Sequence, residues 1–305
     1  MTTPRKILVD DCTPLFYHLI SRCVRRSFLC GRDPLTKRNY NHRKAWLKER
    51  MYELGRYFSV DLYAYSIMDN HFHMVVYYDP NESDRWSDDE VADRWLSLCP
   101  VRLADGTIDV VAQAVKRSVL IEDNDALAHA RRQLGSLSMF MKFLKQPIAR
   151  RANAEDGCTG HFFEQRFYSG ALLDENAALA AMAYVDLNPV RAQIANSIEA
   201  CRNSSISDRL SVQVNSRERL DAYLAPLASG INKKQSQTST TLKSYVLLLR
   251  HLTKSATPSG REISESWTSR MEMMRSLQRA YGSKDKLELW IRNRKLRFLE
   301  RPMAA

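Results

Sequence analysis

The segment Met68-Asp69-Asn70-His71-Phe72-His73-Met74-Val75-Val76 constrains the fold of this chain most. Residues two apart in a strand share a face. His71, His73 and Val75 therefore point one way, and Phe72, Met74 and Val76 the other. Asp69-Asn70 is turn chemistry. The run before it, Val60 to Met68, is rich in β-forming residues (Val60, Leu62, Tyr63, Tyr65, Ile67). The two runs predict a hairpin whose second strand opens with the histidines. Two imidazoles on one face of a rigid strand can chelate a divalent ion. The same pattern arises incidentally on surface strands, and the bare motif does not choose between the two.

A second informative stretch lies more than a hundred residues downstream. Asp174 to Leu187 reads as a helix, with Asp174 as N-cap, Glu175 in the first turn and an alanine-rich run behind it. Pro189 is expected to end it, because the residue before a proline avoids helical backbone. Tyr184 and Asn188 share a face if the last turn holds as far as Asn188. Taken alone, a packed tyrosine above a capping amide is the simpler account of this pair.

The remaining segments supply the frame. Residues 15–24 alternate as a strand, with Phe16, His18, Ile20 and Arg22 on one side and Tyr17, Leu19, Ser21 and Cys23 on the other. Residues 37–58 read as a helix presenting Trp46, Leu47, Met51, Leu54 and Phe58. Residues 136–153 read as another, starting near Ser136 or Ser138, with Phe140, Phe143, Leu144 and Ile148 inward and a kink expected at Pro147. Arg166 to Leu173 is a predicted strand. Between them, residues 79–130 carry 12 acids against 5 bases. There Ser87 and Glu90 form a capping box before a helix over Val91 to Leu98, and at least one more helix is predicted between 111 and 134. After residue 203, residues 229–241 read as a linker, and 242–253, 263–281 and 284–300 as helices.

Four motifs in order then carry a resemblance. They are Tyr17-His18-Leu19-Ile20-Ser21-Arg22-Cys23, His71-Phe72-His73, Gly160-His161-Phe162-Phe163-Glu164-Gln165-Arg166-Phe167, and Tyr184-x-x-x-Asn188-Pro189-Val190-Arg191-Ala192. Together they resemble the single-tyrosine HUH transposases, and among these the REP-associated tyrosine transposases. The resemblance implies an α+β fold: a ferredoxin-like antiparallel sheet with packed helices. It makes 1–203 the catalytic domain with an acidic insertion at about 79–135, and 204–305 a basic, mainly helical extension. It implies a single-stranded DNA endonuclease and strand transferase acting at hairpin (palindromic) DNA. Tyr184 would be the nucleophile that forms a 5′-phosphotyrosine. His71 and His73 would hold Mg²⁺ or Mn²⁺, with Asn188 as a third ligand or an orienting group. His18 and His161 are expected in structural or DNA-positioning roles. Candidate DNA contacts are Arg22, His161, Arg166, Arg191, Arg292, Arg294 and Lys295. Two other readings stay open: a hairpin-DNA-binding protein without useful cleavage, and a metal-dependent hydrolase whose nucleophile is water. Monomer and homodimer are both compatible with the sequence.

Charge distribution bears on the partner. The net charge is +11, and residues 201–305 hold 20 Lys/Arg against 9 Asp/Glu, which accounts for all of it. A cationic third on a neutral core suits phosphate contacts, or a solvated surface. The chain has no apolar run of membrane-spanning length and no apolar leader after Met1, so a cytoplasmic, nucleoid-associated protein without membrane contact is expected. Six scattered cysteines without a Cys-x-x-Cys pair argue against a zinc ribbon or a disulfide framework.

Overall fold

The computed structural model of the protein describes residues 9–10, 12–24, 27–34, 36–164, 166–211, 224–227, 239–253 and 258–294. Its centre is a mixed sheet. Strand β1 (Leu15–Arg22) is followed by helix α1 (His42–Leu54) and the hairpin β2 (Val60–Ile67) and β3 (His71–Tyr78). The hairpin closes on Asp69-Asn70, with Met68 N–H donating to the His71 carbonyl at 2.8 Å. Helix α1 begins later than expected. Ahead of it Asp33 N–H meets the Arg38 carbonyl at 2.9 Å, and Lys37 takes a left-handed φ of 60°.

Helices α2 (Asp88–Leu98), α3 (Val110–Glu122) and α4 (Asn124–Leu134) occupy the acidic segment. The Ser87–Glu90 capping box forms as predicted, and the helical content expected over 111–134 is present as two helices divided at Asp123, which caps α4. Helix α5 (Leu137–Asp156) is capped by Ser136 and runs on through Pro147. A proline lacks the N–H that would meet the carbonyl four residues back. That carbonyl, on Phe143, accepts instead from Arg50 Nε of α1 at 3.2 Å, so the proline leaves no unmet acceptor.

Strand β4 (Tyr168–Leu172) and helix α6 (Glu175–Asp186) complete the predicted series, with Asp174 Oδ1 accepting from Ala177 N–H at 2.8 Å. Leu187 interrupts the helix, and α7 (Asn188–Arg191) follows with Pro189 in its first turn. Helix α6 thus ends ahead of Pro189 as expected, and Pro189 then sits in the first turn of α7, where its missing N–H costs nothing because no intrahelical partner exists. Helices α8 (Ser205–Ser211), α9 (Leu242–Thr253) and α10 (Pro258–Arg275), the short strand β5 (Ala280–Tyr281) and α11 (Lys284–Arg294) finish the described chain. The predicted linker lies outside the described residues except at 239–241.

The sheet order is β2-β3-β1-β4-β5. The first four strands pair antiparallel, and β5 adds to β4 in parallel. This is the ferredoxin-like βαββαβ order with one added edge strand, an α+β fold. Helices cover both faces. On one side Tyr17, Leu19, Met74 and Val76 pack with Leu47 and Met51 of α1 and Phe140 and Leu144 of α5. On the other, Phe16, Val75 and Leu172 meet the alanine-rich α6, backed by Tyr245 and Leu249 of α9 and Met271 and Met274 of α10. The six cysteines are unpaired.

Candidate active site

Register fixes which histidines meet. In the β1–β3 ladder Ile20 faces His73, Arg22 faces His71 and His18 faces Val75. Opposed residues share a face, and diagonal neighbours lie within reach of long side chains. His18 and His73 are such a diagonal pair, and their rings touch: His18 Nε2 and His73 Nδ1 are 2.9 Å apart. Both are buried, at 0% and 3% exposure. Burial pushes the His18 imidazole down to about 3. It also holds His73 well below the ordinary range, helped by His18, His71 and Arg22. Two neutral imidazoles therefore share the hydrogen bond.

His71 opens β3 and is half-buried. Its Nδ1 donates to Asn70 Oδ1 at 2.6 Å, which makes Nε2 the lone-pair nitrogen. The His71 and His73 rings lie 4.9 Å apart at 74°, a spacing that one ion can span.

Tyr184 reaches this cluster from α6, across the layer. Its ring stands 5.6 Å from His73 and 5.8 Å from His18, edge-on to both. Unlike most of its helix, Tyr184 is only partly buried. The Arg191 guanidinium, on α7, sits 5.1 Å from the Tyr184 ring centroid. Two residues on, fully buried Asp186 anchors the helix end. It accepts from Ser205 Oγ (2.5 Å), Ile206 N–H (2.8 Å) and Tyr245 hydroxyl (2.8 Å). Opposite His18, Gly170 leaves room that a Cβ would fill by colliding with the Tyr168 hydroxyl and the Tyr281 ring.

No family model and no curated protein matches this chain. Among solved structures it is similar to one described as the REP-associated tyrosine transposase bound to a REP hairpin, at 11% identity and a TM-score of 0.35. That alignment covers 78% of this chain and 100% of the other.

The fit to a metal ion can be judged from the donors. Among the described residues no three His, Cys, Asp or Glu side chains are grouped to hold one. His71 and His73 are the imidazole donors. Asn188, the amide in the predicted third position, has a buried Nδ2 without a hydrogen-bond partner. That nitrogen is a hydrogen-bond donor and does not ligate a cation, so the donor set visible here is the two imidazoles, which would leave the rest of an ion's coordination to substrate or solvent oxygens.

Of the expected DNA contacts, Arg22 lies beside His71 and Arg191 beside Tyr184. Arg166 and His161 are exposed on the segment that crosses the end of β1, where Glu164 N–H meets the Arg22 carbonyl at 2.8 Å. Arg292 is exposed on α11, whose Trp290 joins the core on the sheet face opposite Tyr184. The Arg294 side chain and Lys295 lie outside the described residues. His18, expected in a structural or DNA-positioning role, is buried against His73; the sequence alone did not pair the two. The Tyr168–Tyr281 hydroxyl contact, 2.8 Å across the β4–β5 edge, carried no signal in the sequence. Among the described residues no helix is long and apolar enough to cross a membrane.

Proposed function

We propose that the protein is a single-stranded DNA transesterase of the single-tyrosine HUH transposase type, acting on hairpin DNA. One observation supports this above the others. Two segments more than a hundred residues apart in sequence, the histidine strand and the tyrosine helix, meet with Tyr184 5.6 Å from His73.

In this reading Tyr184 Oη attacks the scissile phosphorus. The new O–P bond forms as the bond to the 3′ oxygen breaks, leaving a 5′-phosphotyrosine and a free 3′-OH. The phenol gives up its proton and the departing oxygen gains one. Arg191 offers positive charge beside the phenolate as it develops. His71, His73 and Asn188 would hold Mg²⁺ or Mn²⁺, which when bound polarises the phosphate. Arg22 adds a cation at the same strand end. A tyrosyl ester retains the bond energy of the diester, so a later 3′-OH can reseal the strand. The exposed Arg166 and His161 would hold the strand that enters.

The test is a hairpin oligonucleotide with single-stranded flanks, incubated with protein and Mn²⁺ and run on a denaturing gel. The expected product is a protein–DNA adduct that survives denaturation and is absent with Tyr184→Phe. Cleavage without an adduct would instead identify a hydrolase using water. Tight binding without cleavage would identify a hairpin-binding protein.

A further inference from the structure

We infer that His18 is a positioning residue for His73: its Nε2 accepts the Nδ1–H of His73 and so holds His73 in the tautomer whose Nε2 carries the lone pair. The metal role of His73, and with it any need for matching lone pairs on His71 and His73, rests on the function proposed above; the His18–His73 contact does not.

The contact is short, at 2.9 Å, and the two ring planes are inclined to each other by 19°. Strand register makes it obligatory, since His73 faces Ile20 and His18 stands two residues away on the same face. Both rings are buried, where a charge is costly, so a single proton joins the two nitrogens and two arrangements exist. In one, His73 donates from Nδ1. In the other, His18 donates from Nε2, and His73 then carries its proton on Nε2, where it can neither ligate a cation nor accept a hydrogen bond.

Two features favour the first arrangement. His71, two residues away, is fixed with its proton on Nδ1 by the Asn70 side-chain oxygen, and matching tautomers give both rings a lone pair at Nε2. Arg22 stands on the far side of Ile20 from His18, opposite His71, so by register its cation belongs to the side of His73 away from His18. A cation repels an N–H dipole and attracts a lone pair, so it favours the proton on the side of His73 that faces His18. The remaining nitrogen, His18 Nδ1, is buried without a partner whichever way the proton sits. It therefore does not choose between the two. An acceptor behind a ligating imidazole is a common way to fix ring orientation. Here the acceptor is a second imidazole.

The test has two arms. Nitrogen-15 NMR of labelled histidines in the metal-free full-length protein reads the tautomer directly. Wild-type protein is expected to show His73 protonated on Nδ1. His18→Phe should lose that state, and His18→Gln should restore it, because the amide oxygen reaches about as far as Nε2. In the second arm, Mn²⁺ titration followed by electron paramagnetic resonance should show roughly 10-fold or more weaker binding in His18→Phe and near wild-type binding in His18→Gln. Finding His73 protonated on Nε2 in the wild type would overturn the inference. So would wild-type Mn²⁺ affinity in a folded His18→Phe protein. If the wild type binds no Mn²⁺, the metal role of His73 fails, and the NMR arm alone decides what His18 does.

Discussion

Tyrosines crowd this sheet, and their surroundings separate them. Tyr65 is fully buried with its hydroxyl on Asp208, and burial holds it well above the ordinary phenol range. Tyr168 is likewise pushed up by burial, with its hydroxyl bound to the Gln278 carbonyl and to Tyr281. Tyr281 is pushed up to about 12. A nucleophile that must lose its proton is poorly served in such places. Tyr184 is partly exposed and faces the imidazoles. Tyr184→Phe is expected to lower cleavage by on the order of 10³-fold or more while leaving hairpin binding within about 2-fold; Tyr168→Phe should keep cleaving. Adduct gels and binding isotherms measure both. The histidines should also differ. His71→Ala removes a half-exposed ring and should cost under about 1 kcal/mol of stability. His73→Ala strips a buried partner from His18 and should cost about 2 kcal/mol. Both should lose Mn²⁺-dependent cleavage. Denaturant melts with and without Mn²⁺ separate the two effects. A strand ligand facing a cleft would be replaceable without loss of fold, and His73 lies too deep for that.

At the scale of elements, what could be read from sequence was what is encoded locally. The hairpin turn at Asp69-Asn70, the caps at Ser87, Ser136 and Asp174, and the alternation of Phe16, His18, Ile20 and Arg22 all depend on neighbours a few residues apart. The site's principal pairing, histidine strand with tyrosine helix, was readable only because its motifs are distinctive. The contact of His18 with His73 needs the β1–β3 register, which no local pattern states. Strand β5 is two residues long, too short to show a period, and is recruited by the β4 edge. Asp186 also escaped notice. Within a helix it reads as surface charge, yet it is buried, and burial raises it to about 6. A carboxyl whose folded value is raised binds its proton more tightly when folded. Its contribution is complete below the ordinary value near 4 and is lost as pH climbs towards 6. The wild type should therefore lose about 3 kcal/mol relative to Asp186→Asn across that window. Thermal melts of both proteins at pH 4, 5, 6 and 7 test this; parallel curves would show that Asp186 does not titrate there.

On the scale of the whole molecule, the basic C-terminal third does more than carry charge. Ser205, Ile206 and Tyr245 bind Asp186, Arg209 donates to the Tyr63 carbonyl at 2.8 Å, and β5 extends the sheet. Cutting the chain after residue 203 removes all of these. Such a truncation is expected to lose the cooperative thermal transition, so it cannot report on DNA contacts. Charge is better probed in place. Replacing the exposed Arg275, Lys284, Lys286 and Arg292 by glutamine leaves the buried contacts intact. If these side chains meet phosphates, the slope of log affinity against log salt should fall by roughly 0.7 to 0.9 for each phosphate no longer neutralised. An unchanged slope would assign their charge to the solvent.

Dependence of the tyrosine helix on residues that come after it also sets an order in time. A nascent chain acquires the histidine strands first, then α6, and only much later Tyr245 to close over Asp186. Chains fold from the N-terminus as they emerge, at roughly 5–20 residues per second. During those seconds the helix that carries Tyr184 lacks its clamp. In the function proposed above, a copy terminated before Tyr245 would lack this contact, so its tyrosine helix would be left without the clamp that full-length chains close over Asp186.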